Sequence, residues 1–134
     1  MSSIKLDIVT PQRTVYSKEI NMVIAKAKSG ELGIMPGHTP ILATLQAGVM
    51  RVKVNDSSHD LIAVSGGFLE VSTEQITVLA RTAELQSEID INRAKEAKER
   101  AEKRLKDTSD KIDHTRAKAA LDRAMARLKT KNFK

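Results

Sequence analysis

Four arginines near the end of the chain carry its strongest chemical signal. Arg93 and Arg100 are seven residues apart and Arg123 and Arg127 four apart, spacings that place each pair on one face of a helix. Guanidinium groups bind phosphate oxygens in bidentate fashion, so several turned toward one space form a fork suited to a triphosphate. A helical arginine is also commonly solvated or paired with a carboxylate one turn away, and on spacing alone both readings stand. Other reactive chemistry is sparse. His38, His59 and His114 are scattered, and no His or Cys lies one turn after His114 to share a metal. The chain has no cysteine, which removes disulfides, thiolate ligands and thiolate nucleophiles. No Ser, Thr or Lys is grouped with a base and an orienting partner, as nucleophilic catalysis requires. Glu96 and Glu99 read as a solvated helix face. Ser65-Gly66-Gly67 lacks the lysine of a phosphate-binding loop and leads into a strand, so it reads as a turn. The expectation is a chain with no catalytic residue and no metal site.

A second candidate is the segment 29–40, Ser-Gly-Glu-Leu-Gly-Ile-Met-Pro-Gly-His-Thr-Pro. Its glycines and prolines impose an irregular path, yet Leu32, Ile34 and Met35 are apolar for a loop. They either plug the end of a domain or form a docking surface for another protein, and the sequence leaves both open.

These residues must be positioned by two halves with different grammar. All six glycines and all three prolines precede residue 68, and all nine valines precede residue 79. Glycine and proline punctuate turns and β-branched residues suit a pleated surface, so the first half is expected to be strands joined by tight loops. Ile4, Leu6 and Ile8 alternate with Lys5 and Asp7, and Met22, Ile24 and Lys26 with Val23, Ala25 and Ala27. Apolar runs on either side of Asn55-Asp56-Ser57-Ser58, and again of Ser72-Thr73-Glu74-Gln75, predict two hairpins. Many short strands imply an antiparallel sandwich or barrel.

From Ser87 the period becomes helical, with Ala94, Ala97, Ala101 and Leu105 on one stripe. Asp107-Thr108-Ser109-Asp110 interrupts it, and Asp110 is expected to cap a second helix whose stripe is Ile112, Ala117, Ala120, Leu121, Ala124 and Leu128. The short break predicts an antiparallel hairpin with arms of about 17 residues, or about 25 Å. Folding about residues 108–109 sets position 93 opposite about 124, which brings Arg93, Arg123 and Arg127 together near the base with Arg100 about two turns along. Alanine propagates helix well but buries little area, so the arms form readily and dock weakly. Such a hairpin can open.

Charge divides at the same boundary. Residues 1–84 hold 8 Lys+Arg and 8 Asp+Glu, whereas residues 85–134 hold 15 and 9, the whole of the net +6. A basic second half points to anionic partners. Aromatic residues are only Tyr16, Phe68 and Phe133, which argues against single-stranded nucleic acid. The opening Met1-Ser2-Ser3-Ile4-Lys5 lacks the basic segment and apolar run of a signal peptide, and no window approaches a membrane-spanning length, so a cytosolic face and no direct membrane insertion are expected.

Taken together, Ser-Gly-Glu-Leu-Gly-Ile-Met-Pro-Gly-His at 29–38, Ser-Gly-Gly-Phe-Leu-Glu-Val at 65–71 and Ile-Asp-Ile-Asn-Arg-Ala at 89–94 resemble the epsilon subunits of bacterial rotary ATP synthases, over essentially the whole chain. The resemblance implies an N-terminal antiparallel β-sandwich of about ten strands over residues 1–84, followed by a C-terminal antiparallel two-helix hairpin over 85–134. It implies docking of the sandwich on the gamma subunit and the ring of c subunits, with Glu31 and His38 in that neighbourhood. The hairpin would fold against the sandwich or extend toward the alpha and beta subunits of the catalytic head. The family's nucleotide motif, Ile or Leu, Asp, two variable residues, Arg, Ala, is met by Ile89, Asp90, Arg93 and Ala94. Glu84, Arg100, Arg123 and Arg127 match its further positions. By the resemblance, Glu84, Ile89 and Asp90 hold the adenosine end of a regulatory ATP and the arginines lie on or near its phosphates; nothing in the sequence requires Mg²⁺.

The implied function is a non-catalytic regulatory subunit, peripheral at the cytoplasmic face of the bacterial cell membrane through its complex. ATP would favour the folded hairpin, and the extended hairpin would inhibit hydrolysis. Two alternatives are a mechanical stalk subunit whose basic hairpin meets acidic partner surfaces without nucleotide, and a basic nucleic-acid adaptor, which the few aromatics and the resemblance both disfavour.

Overall fold

In the computed structural model, which describes residues 2–109 and 113–133, alternation works as expected in the first half. Strand β1 (Ile4–Val9) buries Ile4, Leu6 and Ile8 and exposes Lys5. It is followed by β2 (Thr14–Ile20), β3 (Met22–Ala27), β4 (Gly30–Ile34), β5 (Ile41–Asn55), β6 (Ser58–Val71), β7 (Gln75–Ala80) and β8 (Ala83–Leu85). The strand order is β2-β1-β7-β6-β5-β3-β4, with β8 on β6. Every pairing is antiparallel except β1 with β7. Both hairpins foreseen in the sequence are present, as β5–β6 and β6–β7. Leu6, Ile8, Ile34, Met50, Ile62 and Leu69 fill the core, each worth about 1.5–3 kcal/mol of burial.

The strands number eight rather than about ten because β5 and β6 run through both layers of the sandwich. Along one edge of β6, residues 62–64 pair with β8 and residues 67–71 pair with β7. The change of partner falls at Gly66 and Gly67, whose φ angles are +110° and +138°. At Gly67 a Cβ would stand 2.0 Å from the Leu79 carbonyl oxygen. Ser65-Gly66-Gly67 is therefore a corner inside a strand and not a turn. Only residues without a side chain let the strand bend there and keep pairing. The segment 29–40 is likewise less irregular than its composition implies, since residues 30–34 form β4 against β3.

A single 3-10 turn, Gln86–Glu88, joins β8 to helix α1 (Ile91–Lys106). Helix α2 (His114–Asn132) returns antiparallel and lies between α1 and the outer face of β5 and β6. Asp113 caps α2, its carboxylate accepting from Arg116 N at 3.0 Å. Asp110, the residue assigned that role from sequence, and Ile112 lie outside the described residues. The His114 Nε2–H donates to the Asp107 carbonyl at 2.7 Å and ties the two arms at their tip. As the stripes predict, the buried residues on the facing stripes of the two arms are alanine, Ala94 and Ala101 from α1 and Ala117 and Ala124 from α2, while Ala126 is buried on the side of α2 turned to β6. Polar ties supplement this small area at the far end of α2. The Gln86 side-chain amide donates to the carbonyls of Thr130 and Phe133 at 3.0 and 3.2 Å, and Lys131 Nζ donates to Gln86 O at 3.1 Å.

Candidate functional site

The start of α1 is set by a chain of local bonds. Glu88 accepts from Leu85 N at 3.1 Å and pairs with Arg13 at 3.0 Å, while Ile89 is buried as an apolar peg. Asp90 then caps the helix, its Oδ1 accepting from Asn92 N at 3.0 Å and Arg93 N at 3.2 Å. With the first turn fixed, Ala94 falls in the seam and Arg93 and Arg100 fall on an exposed face. Across from them, Arg127 of α2 donates through Nε to Glu84 of β8 at 2.5 Å, with side chains 29% and 31% exposed.

These groups line one polar cavity of about 460 Å³, bounded by Glu84, Asp90, Arg93, Ala94, Arg100 and Arg127, together with Glu88, Glu96 and Ala97. Its charges are largely spoken for. Glu84 holds Arg127, Glu88 holds Arg13, and Asp90 holds the helix N-terminus. Among the described residues Arg93 and Arg100 have no ion-pair partner, and neither does Glu96. Although four carboxylates and three guanidiniums line the cavity, Arg93 and Arg100 are the two guanidiniums of its wall left to take an anion.

Two of the sequence-predicted residues are not on its wall. Ile89 lies buried behind it, as a positioning residue. Arg123 shares a small recess with Glu84 and Arg127 but faces the groove between α2 and strands β3 to β5. The convergence of Arg93 with Arg123 expected from a fold about residues 108–109 does not occur. With α1 ending at Lys106 and α2 starting at His114 the connection is longer, and of the two α2 arginines expected there Arg127 lines the cavity with Arg93 while Arg123 does not. Glu88 and Glu96 are lining residues that sequence reasoning missed. Glu96 precedes Arg100 by one turn, a signal that was available; the Arg13 contact of Glu88 spans 75 residues and was not.

The second candidate region is divided between the two roles left open. Ile34 is fully buried and Leu32 packs against the core, plugging the sandwich, while Met35 is 59% exposed. Glu31 pairs with Arg51 at 2.7 Å, and the His38 Nδ1–H donates to the Thr39 carbonyl at 2.7 Å. An apolar patch that the sequence reading missed lies on the outer face of the other layer. Phe68 stands between Thr44 and Leu79 in register, and Leu42, 71% exposed, follows on the same face. Its sequence signal was the broken alternation at Phe68-Leu69 and Val78-Leu79, where one residue of each pair must face outward. Among the described residues no helix is long and apolar enough to cross a membrane.

Comparison with known proteins covers both halves. Residues 3–86 match the family model described as ATP synthase, Delta/Epsilon chain, beta-sandwich domain, and residues 87–132 match ATP synthase, Delta/Epsilon chain, long alpha-helix domain. The ATP synthase epsilon chain of Anoxybacillus flavithermus is 52% identical over 105 residues, 78% of this chain and 78% of that protein. That of Priestia megaterium is 52% identical over 110 residues, 82% and 81% of the two chains. Among solved structures, a chain of the Euglena gracilis mitochondrial ATP synthase (OSCP/F1/c-ring) superposes with a TM-score of 0.82 at 20% identity, covering 94% of this chain and 79% of that one. A chain of the Tetrahymena thermophila mitochondrial ATP synthase central stalk/c-ring gives 0.59 at 15% identity, covering 96% and 93%. At those identities the two structures speak for the fold.

Proposed function

The chain belongs to the ATP synthase delta/epsilon family, as a non-catalytic subunit of the central stalk, and from that premise we propose that its helical hairpin is an ATP-gated regulator of hydrolysis. The observation that carries this reading is where the cavity's ligating groups come from. Arg93 and Arg100 belong to α1, Arg127 to α2 and Glu84 to β8, three elements that meet only when the hairpin is folded on the sandwich. A ligand held by all three favours the folded state by RT ln(1 + [L]/Kd), and by no more than its difference in affinity for the two states. A triphosphate matches the unpaired guanidiniums, and the cavity volume falls in the usual range for small-molecule sites.

When ATP falls, the weak alanine seam and the unneutralised arginines favour opening. The extended basic arms, which carry the whole net charge, then meet acidic surfaces of the alpha and beta subunits and block rotation in the hydrolytic direction. The sandwich stays on the rotor. The family-related structures are F1/c-ring and central stalk/c-ring assemblies, and the exposed Leu42, Phe68, Leu79 patch together with Met35 and the Glu31–His38 segment supplies apolar surface for gamma and the c ring. Residues 1–84 and 85–134 act as a docking unit and a switching unit, and the subunit sits at the cytoplasmic face of the membrane through its partners.

Calorimetric titration of the isolated chain with ATP, with and without Mg²⁺, tests the reading. One ATP per chain is expected, with binding weakened at least tenfold in Arg93→Ala with Arg100→Ala. If ATP produces no heat and no change in melting temperature, the hairpin is a mechanical element without a nucleotide site.

A further inference from the structure

A second cavity, of about 500 Å³, lies on the other side of the hairpin's base. Its floor is the outer face of the sheet, where Met22, Lys53 and His59 form one cross-strand row and Ile24, Arg51 and Leu61 the next. Its roof is Phe133, at the end of α2, with Gln86 beside it. None of these residues lines the arginine cavity. The lining is unusual in joining an apolar majority to two cations without a carboxylate. Arg51 gives one N–H to Glu31 at 2.7 Å and stacks 5.7 Å from the Phe133 ring, which leaves most of its five donors unused. Lys53 has only a long contact, 3.9 Å, to the exposed Asp56.

We propose that this cavity binds an amphiphilic carboxylate, an alkyl-chain acid of the medium-chain fatty-acid class. An uncharged apolar ligand would cover Lys53, whose one contact is long, and the donors of Arg51 that Glu31 does not use, which is costly for a desolvated cation. A small inorganic anion would leave Met22, Ile24 and Leu61 facing water. A ligand with a carboxylate head and an alkyl body satisfies both halves of the lining, the head over the central cations and the body against the flanking aliphatic groups and the Phe133 ring. Because Phe133 and Gln86 are joined through the Gln86 amide bond to the Phe133 carbonyl, the cavity is complete only while α2 is seated. Occupancy therefore favours the folded hairpin, as ATP does, through separate residues. The inference rests on the folded hairpin seen here and not on nucleotide binding.

The test is calorimetric titration of the full chain with decanoate below its micellar concentration, alongside acetate and decyltrimethylammonium. One decanoate per chain is expected, with no acetate binding and at least tenfold weaker binding of the cationic amphiphile. Lys53→Met should weaken decanoate about fivefold, as loss of one charge-assisted contact, and Phe133→Ala, at the chain's end where the sandwich is undisturbed, should weaken it more. Arg93→Ala with Arg100→Ala should not weaken decanoate binding, whatever it does to ATP. Equal binding of the two amphiphiles, several decanoates per chain, or wild-type affinity in both Lys53→Met and Phe133→Ala would overturn the proposal.

Discussion

Removing Arg127 should loosen the hairpin and blunt its response to ATP, and the two effects can be measured apart. Arg127 and Glu84 join α2 to β8 through a charge-assisted hydrogen bond whose partners are about one third exposed. Exposed ion pairs are worth about 0–1 kcal/mol and charge-assisted bonds about 1.5–3, so a half-shielded pair contributes about 1 kcal/mol to docking. In an open–closed balance that is about fivefold. Arg127→Met keeps the aliphatic stem and leaves the Glu84 carboxylate unpartnered, so its shift toward the open state should be fivefold or somewhat more. Glu84→Gln keeps a neutral acceptor and should shift it about two- to threefold. The double variant should resemble Arg127→Met alone, giving a coupling energy of about 0.5 kcal/mol, the size of the Glu84→Gln effect. The absence of native cysteine lets fluorophores be placed at Glu74→Cys, in the exposed β6–β7 turn, and Lys129→Cys, on the exposed side of α2. Energy transfer then reports the closed fraction without ATP and along an ATP titration. Strictly additive shifts would show that the pair contributes nothing across this junction. An Arg127→Met chain that follows the wild-type ATP curve would show that this guanidinium does not meet the phosphates.

Three further outcomes are expected. Glu96→Gln removes the one unpaired carboxylate from the wall of the arginine cavity and should tighten ATP binding about two- to threefold in low salt, an advantage that fades as calorimetry is repeated at higher ionic strength. Gly67→Ala places a methyl group against the Leu79 carbonyl at a positive φ, so it should destabilise the sandwich by about 3 kcal/mol or more and lower the melting temperature by over ten degrees. Tyr16, the single tyrosine, donates to Asp60 at 2.6 Å, and burial first, then this bond and the Asp60 charge, push its phenol well above its ordinary value. A raised folded-state value means that the stabilisation is complete below about pH 10 and is lost as pH rises through the folded value. The 295 nm tyrosinate band should therefore stay absent in the folded chain at pH 10–11 and appear with a normal midpoint in denaturant; a normal midpoint in the folded chain would refute this.

Much of the architecture was legible because it rests on local periodicity. Ile4, Leu6 and Ile8 announced β1, and the alanine spacing announced both helices and the weakness of their seam. What depends on long-range geometry was not. Gly66 and Gly67 carried a signal for backbone freedom, but a corner within a strand and a turn between strands make the same local demand, so the strand count was misjudged. The arginine cavity was legible in part of its membership, Glu84, Asp90, Arg93, Ala94, Arg100 and Arg127, and not in its arrangement. Which of Arg123 and Arg127 faces it depends on the length and path of the connection from Lys106 to His114, which no helical period contains. The Leu42, Phe68, Leu79 patch was hidden because each residue alone reads as strand interior, and only register places them side by side.

The alanine seam also fixes how the hairpin responds to heat. Opening uncovers small alanine methyl groups and breaks polar ties, and since apolar exposure raises heat capacity while polar exposure lowers it, the two contributions oppose each other and the net change is small. A transition with so small a heat-capacity change has a nearly constant enthalpy. Its balance drifts gently and in one direction with temperature, without the curved optimum of a hydrophobically docked element. The temperature at which the cell lives then sets how stable the sandwich must be, while the hairpin, under the proposed gating, would take its position from the concentration of its ligands.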